Sequence, residues 1–214
     1  TGCMNTDVTV EGFDPRTGDS PMYASRRFIN RASRLNERCN AYGAKVIAEL
    51  TLGAGRNYPG QHAPSAVEVF NYPNMKGIEI TKDEIHAKRD QCIKASGFSG
   101  VDIHSLHWGY FLDQMVLSIT NHREDEYGGS LDNRLRLVRE IVQGIHQVCG
   151  SDFPVTIGLH VKSFIKALNK ASLTGEDEAG RTLEEAVEIA KKLEEMGVAA
   201  IMTDSLLCSK RSWA

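Results

Sequence analysis

No stretch of this 214-residue chain approaches the roughly 20 apolar residues that a membrane-crossing helix needs. A basic excess is missing too: 25 Lys and Arg stand against 28 Asp and Glu, for a net charge of -3. There is no Lys/Arg block and no aromatic-basic interleaving, so neither nucleic acid nor membrane is an expected partner. No signal peptide is visible, and the chain begins with Thr1, as a processed, trimmed or partly observed chain would. The five cysteines, Cys3, Cys39, Cys92, Cys149 and Cys208, are odd in number and never in Cys-x-x-Cys spacing. Reduced thiols of a cytoplasmic protein are the expected state. A zinc or iron–sulfur site made by these five alone is not expected. What is present is ordinary for a globular protein, with 41% hydrophobic and 25% charged residues.

The patterning alternates strand with helix. Residues 44–50, 101–104, 154–159 and 199–203 are short apolar or β-branched runs, as buried parallel strands are. Helical spacing predicts helices over 22–42, 82–96, 131–149 and 183–196. Met22, Phe28, Ile29, Ala32, Leu35, Cys39 and Tyr42 share a face of the first. Leu131, Leu135, Val138, Ile141, Val142, Ile145 and Val148 share one on the third, and Leu183, Ala186, Val187, Ala190 and Leu193 one on the fourth. Thr81-x-x-Glu84 and Thr182-x-x-Glu185 are capping boxes at two helix starts. Gly97, Gly150 and Gly197 close three helices ahead of the next strand.

Such alternation favours a parallel α/β fold, either barrel or doubly wound sheet. The elaborate connections, 51–80, 105–130 and 160–181, all follow strands, while the turns back into strands are tight. That asymmetry belongs to a (β/α)8 barrel, whose site is built from strand-to-helix loops. Four strands are half of such a barrel. Residues 1–214 are therefore expected to be a single partial barrel domain, an interior portion holding about strands 3–6. Strands 1–2 and 7–8 would be missing, and pairing with the missing half or with another copy is the expected association.

The densest chemistry is His104-Ser-Leu-His107-Trp108-Gly109-Tyr110, at the end of the second strand. Two imidazoles and a phenol within seven residues are three proton-donating groups in one place. As a metal pair, His104-x-x-His107 has no third ligand placed by spacing. The continuation runs Asp125-Glu-Tyr-Gly-Gly-Ser130, then Asn133-Arg134. It reads as architectural: Gly128 and Gly129 allow a sharp turn, Ser130 or Asp132 caps the next helix, and Arg134 pairs with Asp125 across the turn.

This ordered series resembles the old yellow enzyme family: Gly97-Phe-Ser-Gly-Val-Asp-Ile-His104, Gly109-Tyr110-Phe-Leu-Asp-Gln114, Thr120-Asn-His-Arg123, Asp125 to Ser130 and Asn133-Arg134. Within the family it is most similar to the NADH:flavin oxidoreductases of the 2-enoate and 2,4-dienoyl-CoA reductase branch. Gly53-Ala-Gly55-Arg56, Ala63-Pro-Ser65 and Val161-Lys-Ser-Phe164 match further family segments in order. The resemblance implies a TIM barrel holding FMN, which passes hydride from NAD(P)H to the alkene of a small α,β-unsaturated substrate. It implies that His104 and His107 polarise the substrate oxygen, that Tyr110 gives a proton to the α-carbon, and that Glu49 and Arg56 lie on the flavin side.

Four departures stand out. Glu49 occupies the position where the family generally has a Gln that reads the flavin pyrimidine edge. A carboxylate accepts from flavin N3–H but donates only when protonated. Gly158 stands where the family has an Arg near flavin N1, with His160 and Lys162 nearby as substitutes. Trp108 is an insertion before the Gly-Tyr step, able to displace Tyr110 or to shape the pocket. The family's phosphate loops follow strands 7 and 8, and the 4Fe-4S cysteines of larger members also lie beyond strand 6. The chain alone is therefore expected to hold FMN weakly or not at all. Two other readings compete with the ene-reductase: a degenerate, non-catalytic member acting as a binding or structural subunit, and a small α/β protein taking some other anion.

Overall fold

A computed structural model of the protein describes residues 4–5, 26–53, 55, 60–69, 72–94, 98–106, 110–161, 163–164 and 179–204. In chain order the elements are β1 (Met4–Asn5), α1 (Arg26–Asn40), β2 (Ile47–Thr51), β3 (His62–Ala63), β4 (Glu68–Val69), β5 (Tyr72–Lys76), β6 (Ile78–Glu79) and α2 (Lys82–Lys94). Then come β7 (Gly100–Leu106), α3 (Phe111–Val116), α4 (Leu131–Arg134), α5 (Arg136–Cys149), β8 (Val155–His160), β9 (Ser163–Phe164), β10 (Ala179–Arg181), α6 (Leu183–Glu195) and β11 (Ala200–Asp204).

One parallel sheet carries the fold, ordered β1-β2-β7-β8-β11. Its spatial order follows the chain, with helices between neighbours. A doubly wound sheet would reverse at a switch point, so this is an arc of a barrel. The sequence pattern shows four strands; the fifth, β1, is two residues paired beside Leu50 and Thr51 and too short to leave a periodic signal. The connection 51–80 also hides structure: a parallel β3–β6 pair and an antiparallel β4–β5 pair.

The two faces of the sheet differ. Ala48, Leu50, Val101, Ile103, Val155, Ile157 and Leu159 point to one side and are buried. They join Val138, Ile141, Val142 and Ile145 of α5 and Ile189 and Leu193 of α6 in the core. Each large aliphatic side chain there contributes roughly 1.5–3 kcal/mol of burial. On the opposite face, register places Glu49 beside Asp102 and Asp102 beside Thr156, with Met202 beside Gly158. That inner face is open: Ile47 is 48% exposed and Met202 55%.

Helix details adjust the predicted faces. On α1 the half-buried stripe is Ala32, Asn36 and Cys39, whereas Leu35 and Tyr42 are exposed; Met22 lies outside the described residues. Leu183, Val187 and Val148 are exposed as well, and Ile189 takes the buried place on α6. The predicted helix over 131–149 is two helices joined at Leu135. Thr81 and Glu84 form the full reciprocal capping box. At Thr182 the hydroxyl accepts from Glu185 N, but the Glu185 carboxylate turns instead to Arg134.

The loops after β2 and β7 are braced to each other. Arg123 donates to the Ile80 and Pro64 carbonyls and grips Asp125 in a bidentate pair. His122 N donates to Ser65 Oγ, and Asn121 Nδ2 donates to the Met115 and Tyr127 carbonyls. Gly128 is required because a Cβ there would collide with the Arg123 carbonyl. Ser130, rather than Asp132, caps α4 by accepting from Asn133 N. The expected Arg134–Asp125 pair does not form. Asp125 belongs to Arg123, and Arg134 donates to the Val116 and Gly129 carbonyls and to Glu185, so it ties α3 to α6.

Candidate active site

Strand alternation sets the site's geometry. Asp102 and His104 are two residues apart on β7 and therefore share a face, and Glu49 is the cross-strand partner of Asp102. Those placements bring Glu49 onto His104: Glu49 Oε1 lies 2.6 Å from His104 Nδ1. The His104 side chain is 10% exposed and that of Glu49 31%, so the pair lies at the edge of solvent. Beneath it, the Thr156 hydroxyl donates to Asp102 Oδ1. Burial pushes the Asp102 carboxyl above its ordinary range, against the Thr156 hydrogen bond, which lowers it, and the Glu49 charge pushes it further up.

The ladder between β7 and β8 is irregular at His104. Ile103 pairs with Ile157 but Leu106 with Leu159, so β7 carries one extra residue at His104–Ser105. A bulge of this kind re-aims side chains at a strand end. Tyr110 directly precedes α3. Its ring stands edge-on to the His104 imidazole, with centroids 4.5 Å apart and planes at 90°. The step after Tyr110 is held by the loop after β2, where Phe111 N donates to the Gly53 carbonyl. Gly55 lies so close to Gln114 that any Cβ would strike its amide. Gly53 and Gly55 thus seat the tyrosine's helix.

Of the predicted site residues, His104, Tyr110 and Glu49 are brought together. His107, Trp108, Arg56 and Lys162 lie outside the described residues. Gly158 sits in β8 with no side chain to offer a cation, and His160 is buried at the strand end. Asp204 pairs in register with His160.

Sequence reasoning missed two site features. Asp102 read only as part of a strand, and its place beneath the Glu49–His104 pair needs the register to be seen. Arg181 has no exposed surface. Its guanidinium donates to the Leu106 and His160 carbonyls and pairs at 2.7 Å with Asp113, which is equally buried. It locks the ends of β7 and β8 to α3. The only sequence trace is an arginine just before the Thr182 cap. Among the described residues no cluster of three or more His, Cys, Asp or Glu could hold a metal ion.

The model of the NADH:flavin oxidoreductase / NADH oxidase family matches residues 18–212. A cinnamate reductase of Clostridium sporogenes is 41% identical over 223 residues, covering 95% of this chain and 34% of that protein. An NADH oxidase of Thermoanaerobacter brockii is 32% identical over 77% of this chain and 25% of its own length. Old yellow enzyme from Pichia sp. superposes with a TM-score of 0.70 at 20% identity, covering 94% of this chain and 56% of that one. Morphinone reductase in complex with tetrahydroNAD gives 0.69 at 23%, covering 94% and 59%. These likenesses show the fold: an incomplete (β/α)8 barrel. The chain spans about a third of the length of the cinnamate reductase it matches. On the family match and the 41% relative together, the chain belongs to the NADH:flavin oxidoreductase / NADH oxidase family, the old yellow enzyme family.

Proposed function

We propose that the protein is an FMN-dependent oxidoreductase. It passes hydride from NAD(P)H, by way of flavin, to the alkene of a small α,β-unsaturated carbonyl or carboxylate compound. The observation that carries this reading is the Glu49–His104–Tyr110 cluster at the open inner face of the sheet. Residues 1–214 are read as an interior arc of the barrel, its inner face covered by further strands or by another copy. A cytoplasmic setting is part of the reading, in keeping with a free thiol at Cys39. No helix among the described residues is long and apolar enough to cross a membrane.

The donor set fits the flavin on its acceptor side. A carboxylate has about four lone-pair sites, so Glu49 can bond His104 and still accept from the flavin imide N–H. Arg56 is assigned to the same side by family position. Gly158 contributes no cation, so charge on the reduced ring is met by some other group. When bound, the flavin supplies the hydride. A 4Fe-4S cluster enters only with cysteines from outside this chain.

The chain's own residues handle oxygen and proton. His104, with His107 as its proposed partner, donates to the substrate oxygen and stabilises the negative charge that grows there as hydride arrives at the β-carbon. Tyr110 stands over the imidazole and delivers its phenolic proton to the α-carbon. The bulge at His104–Ser105 and the Gly53–Phe111 hydrogen bond hold these groups in fixed relation.

The test is anaerobic mixing of flavin-loaded, NAD(P)H-reduced protein with cinnamate, the acid named for the 41% relative, and separately with a simple enone. Reoxidation of the flavin with formation of the saturated product supports the reading. A second reading, a degenerate member acting as a binding subunit, is favoured by Gly158. It predicts no flavin absorbance and no alkene reduction at any flavin concentration.

A further inference from the structure

We infer that Glu49 is a positioning residue that sets the hydrogen-bonding polarity of His104, so that the imidazole can polarise a substrate oxygen only while the Glu49–His104 pair holds a second proton. The inference rests on the ene-reductase reading and concerns a residue in which this chain departs from its family.

At 2.6 Å, Glu49 Oε1 and His104 Nδ1 share a proton. If that is the pair's only proton, His104 Nε2 bears a lone pair and accepts. A substrate's carbonyl or carboxylate oxygen also only accepts, so the two repel. With a second proton on the pair, Nε2 carries hydrogen and donates. The family's usual Gln would behave differently. Its amide can donate to Nδ1, which a carboxylate cannot, and so lets the neutral ring carry its one proton on Nε2 and donate without any extra proton. Replacing amide by carboxylate thus makes a standing donor conditional.

Among the described residues, Asp102 and Tyr110 are the groups nearest the pair, while His107 and Arg56 lie outside them. Asp102 lies two residues below His104 on β7, hydrogen-bonded to Thr156 of β8. Burial holds its carboxyl above the ordinary range, with Thr156 opposing and Glu49 adding to the rise. Tyr110 packs its ring on the imidazole from the loop into α3. Arg181 is turned away, to the Leu106 and His160 carbonyls and Asp113. The carboxylate 2.6 Å from Nδ1 only accepts when ionised, so it holds the ring's proton on that nitrogen.

The first test reads the tautomer in the unaltered protein, by NMR of isotope-labelled histidine in the flavin-loaded form across pH. Expected on the alkaline side is a proton retained on Nδ1 of His104 and lost from Nε2. In Glu49→Gln the proton moves to Nε2. An Nε2–H ring in the unaltered protein at alkaline pH overturns the inference, and so does the same tautomer in both proteins. The second test is the pH profile of each half-reaction. Alkene reduction by the unaltered protein should fall about tenfold per pH unit once the pair loses its second proton, and Glu49→Gln should abolish that fall. Flavin reduction by NAD(P)H should show it in neither protein. Alkene reduction with an identical alkaline limb in both proteins sinks this inference and leaves the ene-reductase reading standing. The expected tautomers with no alkene reduction at any pH sink that reading and leave the Glu49 assignment standing.

Discussion

Removing the carboxylate of Asp113 tests how the site's frame is held. Arg181 and Asp113 have no exposed surface, and their charges meet at 2.7 Å. Asp113→Ala leaves a buried guanidinium with the Leu106 and His160 carbonyls, at 3.0 and 3.1 Å, and no described carboxylate. Stranding one member of a buried pair costs about 3–5 kcal/mol. Asp113→Asn keeps an acceptor in place but removes its charge, and the gap between charge-assisted and neutral hydrogen bonds sets its cost at about 1–2 kcal/mol. Removing both charges, with Asp113→Leu and Arg181→Met, should recover most of the loss, since an apolar pair needs no desolvation. The assay is urea unfolding, read as a midpoint shift at constant slope. The expected order of loss is Asp113→Ala, then Asp113→Asn, with the double variant near the unaltered protein. An Asp113→Ala loss below about 1 kcal/mol would refute the claim that this pair anchors α3, and with it Tyr110, to the ends of β7 and β8.

Two further predictions concern pH. Arg123 holds the Asp125 carboxyl below its usual range, chiefly through the hydrogen bonds between them, with burial opposing and Tyr127 N adding a further bond. A depressed carboxyl stabilises the fold above its unfolded value of about 4 and loses that contribution as pH falls through its folded value. Asp125→Asn should therefore flatten acid unfolding monitored by circular dichroism, and an unchanged acid limb would contradict the brace. Tyr127 is buried between α2 and α5, with His86 Nε2 3.0 Å from its hydroxyl, which donates to Glu140. Burial first, and then the Glu140 charge, push its pKa to about 12. The neutral phenol stabilises the fold below its unfolded value of about 10, and that contribution is lost as pH rises towards 12. Ultraviolet titration should show one late-ionising tyrosine, absent in Tyr127→Phe; an unchanged curve in that variant would contradict this.

The legible parts of the fold were those with a local physical signal. Ile141 and Ile145 recur at helical spacing, and Thr81 with Glu84 spells a cap that forms in full. What could not be read depends on long-range register. The resemblance assigns Glu49 to the flavin side, but its bond to His104 shows only once β2 is paired with β7. Nearness in sequence pairs Arg134 with Asp125, and the structure does not. Arg123 is nearer still to Asp125, and α6 brings Glu185 to Arg134 from 51 residues away. The break at Leu135 left no trace in the apolar period, which runs through it.

The direct test of the proposed chemistry is rapid-mixing kinetics of Tyr110→Phe, with the two half-reactions measured separately. The account predicts that NAD(P)H reduces the flavin at nearly the unaltered rate while alkene reduction slows on the order of a hundredfold or more, the usual worth of a positioned general acid. Equal slowing of both half-reactions, or of neither, would contradict the role given to Tyr110 beside His104.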